Sequence, residues 1–344
     1  MTDGKMFAED RPVFIVAEMS ANHNQDFDRA VAIVRAAAEA GADAIKLQTY
    51  TPDTITLDCD NEHFRIKGTI WEGRTLHDLY AEAYTPWEWH PKLKQVADDL
   101  GLVFFSTPFD ASAVDFLEEL GTPCHKVASF ELVDIPLIRR IASTGKPAIM
   151  STGMASEAEI REAVDAFHGA GGTELALLKC TSAYPAPPEE LNLRTIPYLA
   201  ERFGVVAGLS DHTLGTEIPI AATALGARII EKHFCLSRSE DGPDTSFSLV
   251  PEEFKAMVHG VRKAEKALGK VTFELTEKQK TSLAFRRSLF IARDMAPGET
   301  FTPENIRSVR PGNGLHTRHL DEILGRTAAA AYAKGTPLTW DMVR

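Results

Sequence analysis

Val205-Val206-Ala207-Gly208-Leu209-Ser210-Asp211-His212 runs from small and apolar residues straight into three that can hold an anion or a metal ion. The same grammar recurs along the chain. Ile229-Ile230 leads into Glu231-Lys232-His233, and Val13-Phe14-Ile15-Val16-Ala17 leads into Glu18. Ala44-Ile45 leads into Lys46-Leu47-Gln48, Leu102-Val103-Phe104-Phe105 into Ser106-Thr107, and Ala148-Ile149-Met150 into Ser151. Two further strand-like stretches, around Lys126-Val127-Ala128-Ser129 and from Leu175 to Ser182, bring the set to eight. Short apolar runs with polar ends mark buried parallel strands, and helical patterns fill most of the gaps. All but one of the intervals between strand ends is about 19 to 30 residues, the length of a βα unit. The reading is an α/β chain folded as a TIM (β/α)8 barrel, with its chemistry gathered at the carboxyl ends of the strands.

The first helix after the first strand places Val31, Val34 and Ala38 on one face, with Gly41 positioned to end it. The one long interval, Gln48 to Leu102, holds Tyr50 to Thr85, rich in Asp, Thr, Tyr and Trp. It is expected to be an extended loop over the barrel mouth, with Trp71, Trp87 and Trp89 as loop anchors. The eighth helix is expected over Pro251 to Gly269. Residues 1–272 form the barrel domain in this reading, 273–284 a linker, and 285–344 a small β-rich module. That module has short strands and turns at Pro297-Gly298, Pro311-Gly312, Gly335 and Pro337.

Composition narrows the function. At 44% hydrophobic and 25% charged, the 344 residues match an ordinary globular protein. No apolar run reaches the roughly 18 residues that a membrane helix needs, and MTDGKMFAEDRP at the start lacks the apolar centre of a secretory signal. Cys59, Cys124, Cys180 and Cys235 form no C-x-x-C pair and read as reduced thiols of a cytoplasmic protein. A net charge of −12 without a basic, aromatic-interleaved stretch excludes a nucleic-acid binder. The charge is uneven, with a basic tail from Thr281 onward following an acidic body. Such asymmetry suggests two modules that touch, across subunits if the protein is a dimer.

The polar strand ends supply the chemistry. His212 and His233 follow adjacent strands roughly 4.8 Å apart, so both rings can reach one ion and leave it open positions for water and substrate. Lone hydrogen-bonding histidines are the plainer alternative. Lys46 and Lys126 sit in apolar stretches where a bare ammonium is costly unless it faces an anion. Thr107, Ser129, Ser151, Ser182 and Ser210 ring the same mouth with hydroxyls, although any one of them alone would read as a turn or helix cap. Glu18, Glu131 and Asp244 are strand-end carboxylates able to orient a hydroxyl or act as a base. The plainer alternative for each is a salt bridge to Lys46, Lys126 or Arg310, and for Glu18 the two readings balance.

Several segments resemble the sialic acid synthase family. They are Ala17-Glu18-Met19-Ser20-Ala21-Asn22-His23-Asn24, Ile45-Lys46-Leu47-Gln48, Phe105-Ser106-Thr107-Pro108-Phe109-Asp110 and Met150-Ser151-Thr152-Gly153-Met154. Lys179-Cys180-Thr181-Ser182-Ala183-Tyr184-Pro185, Gly208-Leu209-Ser210-Asp211-His212-Thr213 and Glu231-Lys232-His233-Phe234 continue the match in order. The tail, from Arg286-Arg287-Ser288-Leu289 through Arg310-Pro311-Gly312, resembles that family's antifreeze-like (SAF, β-clip) domain. Ser20-Ala21, and Ser182 where sialic acid synthases carry asparagine, lean toward the pseudaminic acid branch.

The resemblance implies a condensation of phosphoenolpyruvate with an amino-sugar aldehyde, releasing phosphate and forming a nine-carbon 2-keto acid. It assigns His212 and His233 to a divalent metal (Mn2+, Mg2+ or Co2+). Lys46, Thr107, Lys126, Ser129, Ser151 and Ser210 would bind phosphoenolpyruvate, and Glu18 would handle the attacking water. Gln48, Glu131, Tyr184 and Asp244 would hold the sugar, and Arg310 would come from the partner in a domain-swapped homodimer. Two rivals stand beside it: a Schiff-base aldolase with Lys126 as nucleophile, and a non-catalytic ice- or glycan-binding protein built around the tail.

Overall fold

The structure is a computed structural model, and it describes residues 6–7, 11–68, 71–239 and 242–344. Most of the amino-terminal stretch examined for a secretory signal lies outside the described residues. The chain divides into two compact units, Met1–Gly269 and Lys270–Arg344.

In the first unit eight parallel strands close into a barrel in sequence order. They are β1 (Phe14–Glu18), β2 (Ala44–Thr49), β3 (Val103–Pro108), β4 (His125–Val127), β5 (Ala148–Ser151), β6 (Leu175–Cys180), β7 (Val206–Asp211) and β8 (Ile229–His233). Strand side chains alternate between faces, and in a closed barrel one face is the interior. The inward set starts apolar, with Val16, Ala44, Phe105, Cys124, Ile149, Ala176, Leu178 and Ile229 packed together over Phe7. One step further along seven of the strands the inward positions turn polar, at Glu18, Lys46, Thr107, Lys126, Ser151, Ser210 and Glu231, while β6 places Cys180 there. The outward set, including Ile15, Ala17, Ile45, Leu47, Met150, Leu177, Leu209 and Ile230, joins the helices in the main core.

Local chemistry starts the helices where the strands end. Asp26 accepts the Arg29 N–H ahead of the helix Phe27–Glu39. Asp110, closing the Ser106–Asp110 motif, accepts the N–H groups of Ser112 and Ala113 ahead of Ala111–Leu120. That helix ends on Gly121 at φ 73°, in the left-handed region that glycine tolerates. In the first helix the buried stripe is Ala30, Ile33, Val34 and Ala37, while Val31 and Ala38 are only half-buried. The expected face was therefore rotated by about one residue, since alanines around the helix blur its apolar edge. The eighth helix runs Pro251–Leu268.

The long insertion is more structured than an extended loop. It carries the helices Pro52–Ile55 and Leu76–Ala83. Tyr50 packs edge-on against Tyr80 with ring centroids 5.5 Å apart, and Trp87 donates to the Tyr50 carbonyl at 3.1 Å.

Beneath the insertion, His23 and His90 are fully buried. His23 Nε2 lies 3.0 Å from Thr85 Oγ1, and His90 Nε2 lies 2.9 Å from Thr49 Oγ1. Burial holds both rings neutral down to about pH 4, and at His23 repulsion between the two rings, once protonated, and the Arg29 charge add to it. In the unfolded chain both protonate near 6.5, so below that pH the unfolded state binds the extra protons and stability falls. Each ring should cost about 2 kcal/mol between pH 7 and pH 5. Urea midpoints at the two pH values measure this, and His90→Gln should show a shallower loss than the parent; equal losses in both proteins would refute the assignment.

In the second unit a helix spans Glu277–Ser282, inside the segment read as a linker. Then β9 (Ser288–Ile291) and β10 (Ile306–Val309) pair antiparallel. Leu289, Ile291, Met295, Phe301, Ile306, Ile323, Ala328, Leu338 and Met342 form a separate small core.

Candidate active site

Strand register assembles the site. Glu18 pairs with Lys46 on one side and with His233 on the other, Gln48 pairs with Thr107, and Ser210 lies between Cys180 and Glu231. One cavity at the carboxyl ends is lined by Glu18, Lys46, Gln48, Thr107, Lys126, Ser129, Ser151, Tyr184, Ser210, His212 and His233. Glu231, Cys180, Phe109 and Phe130 line it too.

The two lysines meet the anions that burial demands, and both anions belong to the protein. Lys46 Nζ lies 2.7 Å from Glu18 Oε2 and 3.2 Å from Thr107 Oγ1. Lys126 Nζ donates to Ser151 Oγ at 2.7 Å and to the Val127 carbonyl at 3.3 Å. Between them stands Glu231, with Oε1 3.7 Å from Lys46 Nζ and 3.5 Å from Lys126 Nζ, and accepting from Ser210 Oγ at 3.2 Å. Glu231 Oε2 is buried without a hydrogen-bond partner. The salt bridge weighed for Glu18 thus exists, alongside its place on the cavity wall.

These partners set the titrations in opposite directions. Burial pushes the Glu18 carboxyl up, with the Lys46 charge opposing and the Glu231 charge adding. Burial opposes ionisation of Glu231 as well, but Lys126 and Lys46 together hold it below the usual carboxylate range. Burial pulls Lys126 down, only partly offset by Glu231. The result is two carboxylates of unequal basicity beside two ammonium groups, and such splitting is how one site supplies both an acid and a base.

The histidine pair faces this cluster, with ring centroids 5.3 Å apart. His212 Nδ1 lies 2.9 Å from the Thr181 carbonyl, which places the ring proton there and leaves Nε2 as a free lone pair. His233 Nδ1 is buried with no partner, and burial together with the nearby His212 charge holds that ring neutral. His212 is pushed the other way: burial opposes its charge, but the Cys180 thiol, the Thr181 carbonyl and Asp211 together raise it. With His212 deprotonated, the two rings offer a nitrogen each to a divalent ion. Among the described residues no cluster of three or more His, Cys, Asp or Glu side chains is suited to a metal, so the remaining positions would fall to water and substrate.

Other expected site residues gather at the edge. Gln48 Nε2 donates to Glu18 Oε1 at 3.0 Å and to Ser20 Oγ at 2.9 Å, and Ser20 Oγ donates to Asp244 Oδ2. Tyr184 stacks near His212 with centroids 4.4 Å apart. Ser129 Oγ accepts the Gly153 N–H at 3.2 Å, and Ser182 Oγ crowds the same glycine, so a Cβ there would stand 2.3 Å from it. Burial raises the Glu131 carboxyl to about 7, in the short turn just past β4. Arg310 is in the second unit, where it is exposed. Of the tryptophans, Trp89 packs on His23 and Phe27 as an anchor, while Trp71 reaches the site, its ring 6.1 Å from Tyr184.

Glu231 and Ser20 stand in segments quoted from the sequence, but the reading of strand ends gives them no role in the site. Period-two alternation would have found the first: Glu231 and His233 share the inner face of β8, and Lys232 points out to a buried pair with Asp211 at 2.5 Å.

Two buried lysines, two buried carboxylates and a ring of hydroxyls beside paired imidazoles at a barrel mouth define a class of (β/α)8 enzyme. Residues 33–273 match the NeuB family and residues 286–344 the SAF domain. The chain belongs to the NeuB family of sialic acid synthases. A pseudaminic acid synthase of Campylobacter jejuni is 47% identical over 323 residues, 94% of each chain. A pseudaminic acid synthase of Helicobacter pylori is 44% identical over 335 residues, covering 96% of this chain and 98% of that one. The crystal structure of N-acetylneuraminic acid synthetase from Leptospira borgpetersenii, in complex with citrate, matches with a TM-score of 0.71 and 32% identity. That match covers 79% of this chain and 90% of the other.

Proposed function

We propose that this enzyme condenses phosphoenolpyruvate with a 2,4-diacetamido-2,4,6-trideoxy hexose of altro configuration, giving pseudaminic acid and phosphate. The observation that carries this reading is the single cavity holding two buried lysines, a ring of hydroxyls and two unclaimed imidazoles. Lys46, Lys126, Thr107, Ser129, Ser151 and Ser210 hold the phosphate and carboxylate of phosphoenolpyruvate. Its C3 attacks the C1 aldehyde of the open-chain sugar, leaving positive charge at C2. Glu18 takes a proton from the water that adds to C2, and the adduct collapses with C–O cleavage to release phosphate. Gln48, Glu131, Tyr184 and Asp244 hold the sugar. A divalent ion on His212 and His233, with manganese, magnesium and cobalt all suited, would polarise the aldehyde.

The partner reading is a homodimer in which Arg310 of one tail completes the other barrel. Phe130, Val133, Met154 and Leu214 leave an apolar rim more than half exposed, which supports a cover supplied by a second copy. Among the described residues no helix is long and apolar enough to cross a membrane. Cytoplasmic work suits the four free thiols.

Phosphate release with phosphoenolpyruvate and a panel of amino sugars tests the reading. The altro 2,4-diacetamido sugar should exceed N-acetylmannosamine by about tenfold or more in kcat/KM. The reverse order would move the chain to the sialic acid branch. A borohydride-trapped adduct on Lys126 would replace the condensation with a Schiff-base aldolase, and inactivity with every sugar would favour a glycan-binding role.

A further inference from the structure

Ser20 is 3% exposed and sits at φ 46°, in the left-handed region where a side chain strains the backbone and glycine does not. A buried serine held there calls for a compensating role. Its hydroxyl donates to Asp244 Oδ2 and accepts from Gln48 Nε2 at 2.9 Å. The other Gln48 N–H goes to Glu18 Oε1 at 3.0 Å. Both amide hydrogens are therefore used, so Gln48 turns only its carbonyl oxygen to the cavity it lines.

The Asp244 segment is anchored separately. Asn22 Nδ2 donates to Ser248 Oγ at 2.9 Å and to the Phe234 carbonyl at 3.0 Å, and Ser248 Oγ donates to the Asp244 carbonyl at 2.7 Å. Among the described residues Ser20 is the one side chain that hydrogen-bonds the Asp244 carboxylate, with a longer backbone contact from Ala21 at 3.4 Å. Removing the hydroxyl would leave the segment in place and free the carboxylate and the amide to turn.

We propose that Ser20 is a specificity-determining positioning residue: one hydroxyl fixes Gln48 and Asp244 as a pair of acceptors, selecting a sugar that turns hydroxyl or acetamido N–H donors toward them. This rests on the synthase reading above. A wrong donor pattern leaves a buried acceptor unpaired, which is how hydrogen-bonding sites reject analogues.

Two variants separate positioning from structure. Ser20→Ala loses the hydroxyl and keeps the strain; Ser20→Gly loses both. In each, KM for the altro 2,4-diacetamido sugar should rise about tenfold or more. The dissociation constant of phosphoenolpyruvate, measured by calorimetry without sugar, should stay within about twofold. Ser20→Gly should melt no lower than the parent and Ser20→Ala lower. A merely structural serine predicts the opposite for glycine, which suits this φ and would keep the parent KM; that result overturns the proposal. If the parent itself turns over no sugar, the synthase reading fails instead. A crystal structure of Ser20→Ala then decides the positioning role: displaced Gln48 and Asp244 side chains sustain it, and unmoved ones overturn it.

Discussion

His233→Ala should lower kcat by roughly a thousandfold, the scale on which removing one preorganised charge stabiliser acts. The ring is half-buried and held neutral, and its buried Nδ1 has no partner in the protein. Phe247 packs on it with centroids 5.0 Å apart, so alanine also opens a cavity and costs some stability. His233→Gln fills more of that space and should be as inactive while melting closer to the parent. Chelator should abolish turnover of the parent, with added manganese restoring it. Free Mn2+ measured by paramagnetic resonance should fall on adding the parent and stay unchanged on adding either variant. Full activity in excess chelator would sink the metal assignment.

Mixing two dead proteins should restore activity. His233→Ala has an intact Arg310 and a ruined barrel; Arg310→Ala has the reverse. Arginine presents fixed donors that keep their charge, so alanine at 310 should remove a contact no other side chain replaces. In the proposed two-fold dimer each tail would serve the other barrel, so every mixed dimer would hold one site built from an unmutated barrel and an unmutated tail. With random exchange half the dimers are mixed and half their sites are whole, giving about a quarter of parental activity. A mixture that stays dead after exchange is demonstrated by mass spectrometry would mean that the tail acts on its own barrel or not at all.

The barrel was legible because eight apolar runs end in polar residues, all but one of the intervals being the length of a βα unit, and closure makes those ends converge. Reading the polar ends as blocks cost accuracy inside them. Glu231-Lys232-His233 is one block in sequence, but the pleat sends Lys232 to Asp211 on the outer face and Glu231 to the lysines within. Lys46 and Lys126 are buried and need anions, and the protein itself supplies Glu18 and Glu231, which the apolar runs around the lysines do not reveal. Spacing could not show that Ser20 has a left-handed backbone, because that angle is imposed by the turn after β1 and not by serine itself. The insertion after β2 hid its helices because Pro52–Ile55 and Leu76–Ala83 are too short to display a full apolar stripe.

The layering of the barrel divides its freedom to evolve. Residues proposed to hold phosphoenolpyruvate project mostly from strands, each locked by a neighbour on both sides and seated on an apolar layer below. Shifting one of them drags the register of two other strands. Ser20, Asp244 and Glu131 stand on short segments beyond the strand ends, where a substitution changes one hydrogen bond and leaves the ladder intact. Such a scaffold can exchange one sugar for another by drift in its loops while the half of the chemistry written in its strands is inherited unchanged.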